Sequence, residues 1–235
     1  ISIDGVALEG FDADTTEYTH VLTTTQLARL SSPEVTYTLK DETSTAEVSL
    51  PEAFPGSVTI TVTNSREEKA EYVINYDAKN LVTNFVADGE ATAKALYIPG
   101  GLKIGGNVAS DRIGPDQWTI TEHAPELEGG DTILTPVVGW IDVVDTFGFD
   151  LARSGKITVL QNKVNELSKY TDIGFTANAD VTSTKLRIVN STATDSREYM
   201  FMATKEVEAG SITLPFTKSN MPVLTVFHVA PWSNQ

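Results

Sequence analysis

Apolar and polar residues alternate in short runs along the first third of the chain. The clearest runs are VTYTL at 35–39, SVTITV at 57–62 and YVINY at 72–76, and STAEVSL at 44–50 is a weaker case. A period of two places every second side chain on one face, as in a strand with one buried face. Turn-forming residues separate the runs, so the pattern predicts short strands in a sandwich or barrel.

The segment NSREEK at 64–69 is charged and stands between two of these runs. Polar residues of this kind form the turns between neighbouring strands. We therefore predict that the runs at 57–62 and 72–76 form a hairpin.

The amino-acid composition of the chain changes after residue 77. All three tryptophans, Trp118, Trp140 and Trp232, come later, and none occurs in the first 79 residues. We place a domain boundary near residues 78–81. This predicts a first domain at 1–79 and a second at 80–235, the second long enough for a core of its own.

The second part is also rich in strand patterns, and the fold class that follows is all-β. A run at 132–144 suits one or two strands, interrupted at Pro136 or Gly139. The run at 156–170 is ambiguous, because a helical stripe predicts a short helix at 159–168 while KITVL alone is typical of a strand. We predict two β-sandwich domains in tandem, the first immunoglobulin-like and the second larger, with one short helix. The other predicted strands of the second part are TNFVA at 83–87, KALYI at 94–98, QWTIT at 117–121, TKLRIVN at 184–190, REYMFMA at 197–203, SITLPF at 211–216 and VLTVFHV at 223–229.

Residues 1–78 resemble the cadherin-like, immunoglobulin-like β-sandwich modules of bacterial exported proteins. The resemblance rests on SIDGVALEGFDADTTEYTHVL at 2–22, with its Asp14-Thr15-Thr16-Glu17-Tyr18 corner, and on GSVTITVTNSREEKAEYVINY at 56–76. The turn departs from the family, which often has a glycine there. The resemblance implies an exported protein with a stalk-like first domain. The residues themselves predict that the Tyr18 ring packs on the core while its hydroxyl caps a turn carbonyl.

Composition limits the classes of partner. Apolar residues make up 40% of the 235 residues and the net charge is −15, with −9 in residues 1–79 and −6 in the remainder. Both parts are acidic, so nucleic acid and anionic membranes are poor partners. No apolar run is long enough for a membrane helix. The sequence starts at Ile1 without a leader, and we expect that any targeting segment has been removed.

Motifs of catalysis are absent from the sequence. There is no cysteine, and the three histidines, His20, His123 and His228, form no metal-binding or catalytic spacing, so we expect each to be structural. The glycine-rich GGLKIGGN at 100–107 lacks the ending of a phosphate loop, and ARSGK at 152–156 lacks the first glycine of a serine nucleophile motif. We expect no enzymatic activity.

Carboxylates leave two alternatives open. Asp142 and Asp145 flank aromatic residues, as in a glycosidase acid pair, although sequence proximity does not provide the required separation. Asp12 and Asp14 carry the hard oxygen ligands of calcium without the spacing of a calcium loop. We expect no cofactor, and calcium remains an alternative.

Aromatic residues of the second domain are the candidate binding groups. A flat ring can stack on the apolar face of a pyranose while polar neighbours take its hydroxyls. We predict a glycan platform at Trp118 or Trp140, with Asp116, Gln117 and Asp142 as polar partners. The alternative is that each tryptophan packs in the core, and for Trp232 core packing and a linker contact are equally open.

Three functions follow from these observations. The first is a non-catalytic bacterial cell-surface or secreted protein that binds a polysaccharide or a surface protein through its second domain. The second is a structural spacer or pilus-like subunit, marked by an exposed, unpaired strand edge. The third is a fragment of a glycan-active enzyme, marked by a cleft with two ionisable groups in opposed environments.

Overall fold

The chain is all-β, as its alternating pattern predicts. A computed structural model describes residues 1–87, 92, 94–111, 118–136, 146–178, 185–190, 195–216 and 223–233. Two compact units make up the chain, and we call them the first unit (Ile1–Leu81 with Pro231–Gln235) and the second unit (Val82–Ala230). Residues 231–235 thus belong to the first unit, although the sequence assigned them to the second domain.

The first unit consists of two sheets and one helical turn. One sheet has the order β2-β1-β4 and the other the order β3-β7-β6-β5, in which β3 and β7 run parallel. A reciprocal capping box between Thr23 and Gln26 starts helix α1. The elements are β1 (Ser2–Ile3), β2 (Val6–Ala7), β3 (Glu17–Val21), α1 (Thr24–Leu27), β4 (Val35–Thr36), β5 (Thr45–Ser49), β6 (Ser57–Thr63) and β7 (Lys69–Asp77).

The predicted hairpin is confirmed. Strands β6 and β7 pair antiparallel from Ser57 opposite Asn75 to Thr63 opposite Lys69. At the turn, the Asn64 side-chain oxygen accepts hydrogen bonds from the amides of Arg66 (2.9 Å) and Glu68 (3.0 Å). Glu67 has φ 65°, the left-handed conformation that a glycine adopts more easily. The turn therefore forms without the expected glycine.

The predicted role of Tyr18 is also confirmed. Its side chain is buried, and its hydroxyl lies 2.9 Å from the carbonyl oxygen of Thr15. The same hydroxyl accepts a hydrogen bond from the amide of Asp12 at 3.1 Å. The Phe11 ring packs against it with 5.7 Å between centroids. Tyr18 thus fixes the loop that leads into β3.

The described residues of the second unit form three sheets. The sheet orders are β14-β17-β13-β19-β11-β9, β10-β15-β16 and β18-β12-β8. The first two sheets bury a shared cluster that includes Ile120, Leu160 and Tyr199. The strands are β8 (Val82–Val86), β9 (Leu96–Ile98), β10 (Thr119–His123), β11 (Asp131–Leu134), β12 (Thr146–Leu151), β13 (Gly155–Gln161), β14 (Thr176–Asn178), β15 (Leu186–Val189), β16 (Ser196–Tyr199), β17 (Phe201–Val207), β18 (Gly210–Pro215) and β19 (Leu224–Val229).

The predicted helix at 159–168 is wrong for its first part. Residues Gly155–Gln161 form strand β13, which pairs with β17 on one side and β19 on the other. The helical backbone begins only with the 3₁₀ turn Val164–Leu167 and continues as α2 (Ser168–Thr171). Strand β13 is buried on both faces, so its apolar residues do not follow a strict period of two and also satisfy a helical stripe. A further 3₁₀ turn lies at Pro125–Leu127.

Within the described part of the chain, none of the helices is long and apolar enough to cross a bilayer.

Candidate functional site

Trp118 is the one predicted binding residue that the structure describes. The other four, Trp140, Asp116, Gln117 and Asp142, lie outside the described residues, as does Asp145. Trp118 directly precedes β10, is half-buried and packs against the core cluster of the second unit. The Arg197 guanidinium lies over the indole, 4.7 Å from the ring centroid.

Arg197 belongs to β16, which lies two strands away from β10 in the order β10-β15-β16. The Arg197 Nε atom also lies 3.6 Å from an Asp195 carboxylate oxygen. The indole therefore has one face occupied by a cation on a neighbouring part of the sheet. A sugar can stack on that face only if the guanidinium moves aside, which costs about 0.5–1 kcal/mol for an exposed cation–π pair.

Trp232 lies in the first unit, and it is only 7% exposed. Its ring meets Phe54 edge-on at 4.6 Å between centroids and Tyr76 at 5.8 Å and 90°. The next residue, Ser233, donates hydrogen bonds to the Leu30 carbonyl from its amide (2.8 Å) and from its hydroxyl (3.0 Å). Of the two alternatives for Trp232, core packing is the one observed.

The three histidines each contact a nearby polar atom. His20 Nε2 lies 3.4 Å from the Gln26 side-chain oxygen, and His123 Nδ1 lies 3.1 Å from the Ala124 carbonyl oxygen. His228 Nε2 lies 3.2 Å from the Glu128 carbonyl oxygen. The other ring nitrogen of His228 is buried and has no hydrogen-bond partner among the described residues. These contacts agree with the structural roles expected from the sequence.

Two carboxylates of the described residues, Asp12 and Asp150, have local hydrogen-bond partners. Asp12 accepts a hydrogen bond from the Asp14 amide at 2.8 Å. Asp150 accepts hydrogen bonds from the Ser211 hydroxyl (2.5 Å) and the Asn84 amide group (2.8 Å), and these bonds lower the pKa of Asp150. Within the described ranges, no cluster of three or more histidine and carboxylate side chains is placed to hold a metal ion.

One half-buried carboxylate, Asp131, was not predicted. Asp131 begins β11 and accepts hydrogen bonds from the Tyr97 hydroxyl and the Gly100 amide, both at 2.7 Å. Burial raises the pKa of Asp131, and the two hydrogen bonds and the charge of His228 only partly oppose this effect. The Tyr97 side chain and the Gly100 backbone hold this half-buried carboxyl group in place, which favours a structural role for Asp131.

The first unit contains an aromatic-lined cavity of about 300 Å³ that the sequence did not indicate. Its lining includes three aromatic residues, Phe11, Tyr37 and Tyr72, and the aliphatic residues Ile60 and Val62. We call it the aromatic cavity. In the sequence these rings stand in three separate runs, so only the pairing of the strands brings them together. The rest of the lining is Ile1, Ala13, Thr38, Leu39, Lys40, Asp41 and Ser44.

Comparisons with known proteins do not identify a family. No protein-family model matches the chain, and no curated protein matches it. A search of solved structures gives a beta-glucuronidase from glycoside hydrolase family 2, with 13% sequence identity and a TM-score of 0.44. The match covers 75% of this chain and 20% of that chain, so the chain spans about a fifth of the matched protein's length. A likeness at this level carries no argument about function.

Proposed function

We propose that the protein is a non-catalytic, exported binding protein whose second domain binds a carbohydrate. The observation that carries this proposal is the half-buried Trp118, held beside the Arg197 guanidinium on a sheet of the second unit. An aromatic ring that is already fixed loses little side-chain entropy when a ligand stacks on it. Guanidinium N–H groups are donors suited to sugar hydroxyls or carboxylates.

In the proposed complex, the ligand displaces the guanidinium from the indole face and receives hydrogen bonds from it. The displacement cost of about 0.5–1 kcal/mol is small beside the roughly 4–7 kcal/mol of a site with a dissociation constant on the order of 10 μM to 1 mM. Asp116, Gln117, Trp140 and Asp142 remain the predicted partners of this site. Many copies on one surface would offset the weakness of each site by engaging one polymer together.

The non-catalytic part of the proposal rests on the environment of the ionisable groups. Each histidine lies against a nearby carbonyl or amide oxygen, and Asp150 is held by two hydrogen bonds. No two of these groups are hydrogen-bonded to each other among the described residues, which supports a structural role for each. Export to a bacterial surface is supported by the resemblance of residues 1–78 to modules of exported proteins. Cell fractionation tests it, and a full-length protein confined to the cytoplasm would contradict it.

The binding proposal is tested with a glycan array followed by calorimetry on the whole chain. We expect at least one polysaccharide to bind, and we expect Trp118→Ala to weaken that binding about tenfold or more, a loss of about 1.4 kcal/mol. Ile104→Ala is the matched control, because Ile104 is an apolar residue of the same unit that is 62% exposed. Binding that Trp118→Ala leaves unchanged, or the absence of any bound glycan, would reject this site.

A structural spacer is the second candidate, and one observation favours it. Among the described residues, β4 and β5 stand at the ends of their sheets with no neighbour on the outer side. Open edges can pair with another chain. Concentration-dependent assembly of the protein in analytical ultracentrifugation, without glycan binding, is the result expected for this candidate.

A further inference from the structure

We propose that the aromatic cavity of the first unit is a second binding site, and that its ligand is a neutral pyranose ring. This inference uses the carbohydrate class of the proposed function but concerns a domain that the sequence assigned only a stalk role.

The face of a sheet forms the floor of the cavity. Ile60 on β6 pairs directly with Tyr72 on β7, and Val62 follows on the same face of β6. Ile60 is 1% exposed, so the floor belongs to the rigid core of the first unit. A binding surface built on a sheet keeps its shape better than one built on loops.

Aromatic rings close two sides of the cavity. On the β7 side, Phe11 packs against Tyr72 with 5.8 Å between centroids, and the Tyr72 hydroxyl donates a hydrogen bond to the Ala13 carbonyl at 3.0 Å. On the β5 side, the Tyr37 hydroxyl donates a hydrogen bond to the Ala46 carbonyl, also at 3.0 Å. Both tyrosine hydroxyls are thus used to fix their rings, which then offer flat apolar surface to a ligand. Phe11 and Tyr37 are 40% and 38% exposed, so the rings can be reached from solvent.

The rim carries one positive and one negative group. Lys40 forms no ion pair with any described residue, and its neighbour Asp41 is held by the Thr43 amide (2.9 Å) and hydroxyl (2.8 Å). Both of these bonds go to Oδ1, so neither of them uses the second carboxylate oxygen of Asp41. Ser44 adds a hydroxyl. The rim therefore offers an ammonium donor, a carboxylate acceptor and a hydroxyl, with no net charge.

These features select among ligand classes. An anion attracted by Lys40 is repelled by Asp41 and by the net charge of −9 of residues 1–79. A cation is repelled by Lys40. An added peptide strand on β5 would have to compete with Tyr37, whose hydroxyl already occupies the carbonyl of Ala46. A neutral ring with apolar C–H faces and several hydroxyls fits both the aromatic sides and the mixed rim, and the volume of about 300 Å³ lies at the small end of ligand pockets.

The test is a titration of the whole chain with neutral methyl pyranosides of glucose, galactose and mannose, followed by backbone amide NMR. Glucuronate and choline serve as the anionic and cationic comparison probes. We expect at least one neutral pyranoside to shift the amides of residues 37–44 at millimolar concentration. We also expect a Phe11→Ala variant to weaken that binding about tenfold, and a Lys40→Gln variant, which leaves the rings in place, to weaken it about threefold.

Two controls separate this inference from the proposed function. Leu30→Ala changes an apolar residue of the first unit that is 75% exposed and outside the cavity, and it should leave the titration unchanged. Trp118→Ala should leave the shifts at 37–44 unchanged as well. If Trp118→Ala abolishes all sugar binding while Phe11→Ala and Lys40→Gln have no effect, the proposed function stands and the cavity site is overturned. Tighter binding of glucuronate or choline would overturn the neutral class, and no shift with any neutral pyranoside would overturn the site.

Discussion

Replacement of Trp232 by alanine should destabilise the first unit, although residues 82–230 separate Trp232 from the rest of that unit in the sequence. The side chain is 7% exposed and packs edge-on against Phe54 and Tyr76. Burial of about 200 Å² by a tryptophan, at about 25 cal/mol per Å², contributes about 5 kcal/mol. This is an upper value, because the unfolded chain already buries some of this area.

A second effect opposes this stabilisation. Trp232 Nε1 is buried and has no hydrogen-bond partner among the described residues, which costs about 1–3 kcal/mol. The net loss expected for Trp232→Ala is therefore about 2–4 kcal/mol in the free energy of unfolding of the first unit. For a domain of this size, 1 kcal/mol changes the melting temperature by about 4–8 °C, so the transition should fall by more than about 8 °C.

The assay is hydrogen exchange of the β6 and β7 amides, since these strands report on the first unit alone, together with thermal denaturation. Trp232→Phe is the informative comparison, because it keeps an aromatic ring and removes the unpaired N–H, and it should cost less than half as much as Trp232→Ala. Ser233→Ala removes one exposed hydrogen bond to Leu30 and should cost less than about 1 kcal/mol. Unchanged exchange in β6 and β7 with Trp232→Ala would refute the reasoning.

Two further predictions concern charge and hydrogen bonding. Burial raises the pKa of Asp131, so its charged form destabilises the fold as the pH rises above the unfolded value of about 3.9. Asp131→Asn should therefore be more stable than the native protein at pH 7, by a margin that shrinks toward pH 4. Asp150→Asn, at a carboxylate whose pKa is lowered, should be less stable than the native protein at pH 7. Urea denaturation at both pH values measures each variant, and equal margins for Asp131→Asn at the two pH values would contradict the raised pKa. Tyr18→Phe removes a hydroxyl that accepts a hydrogen bond from the Asp12 amide and lies 2.9 Å from the Thr15 carbonyl oxygen. It should lower the free energy of unfolding, measured by urea denaturation, by about 1–2 kcal/mol and should speed hydrogen exchange of the Asp12 amide. An unchanged exchange rate of that amide would be the contrary result.

Sequence reasoning was most successful where a single periodicity decided the structure. The run at 57–62 alternates strictly and the run at 72–76 is rich in β-branched and aromatic residues, and they form β6 and β7 of the predicted hairpin. The corner at Tyr18 was predictable because its ring and hydroxyl contact a turn only a few residues upstream in the sequence. The run at 156–170 failed because β13 is buried on both faces, and a strand of that kind does not alternate.

The candidate site was harder to predict because it depends on contacts distant in sequence. Phe11, Tyr37 and Tyr72 come from three separate runs, and only the register of β6 with β7 and the hydroxyl contact of Tyr37 with β5 bring them to one cavity. The contact of Arg197 with Trp118 likewise joins residues 79 positions apart. The position of Trp232 near residue 235 left a linker contact open as an alternative. The local sequence pattern does not show that residues 231–233 pack in the first unit.

The open edges of the first unit give its acidity a physical role. Val35, Val48 and Leu50 line a second depression beside β4 and β5, which are end strands of their sheets. An end strand of a sheet can pair with another chain unless charge or a covering side chain prevents it.

Exposed carboxylates lie along β5: Asp41 and Glu42 just before it, Glu47 within it and Glu52 just after it. A second copy of the chain brings the same carboxylates to the same edge, and Tyr37 already covers one edge carbonyl. Repulsion between like charges therefore opposes edge-to-edge assembly of two copies while leaving the aromatic cavity accessible to a small neutral ligand.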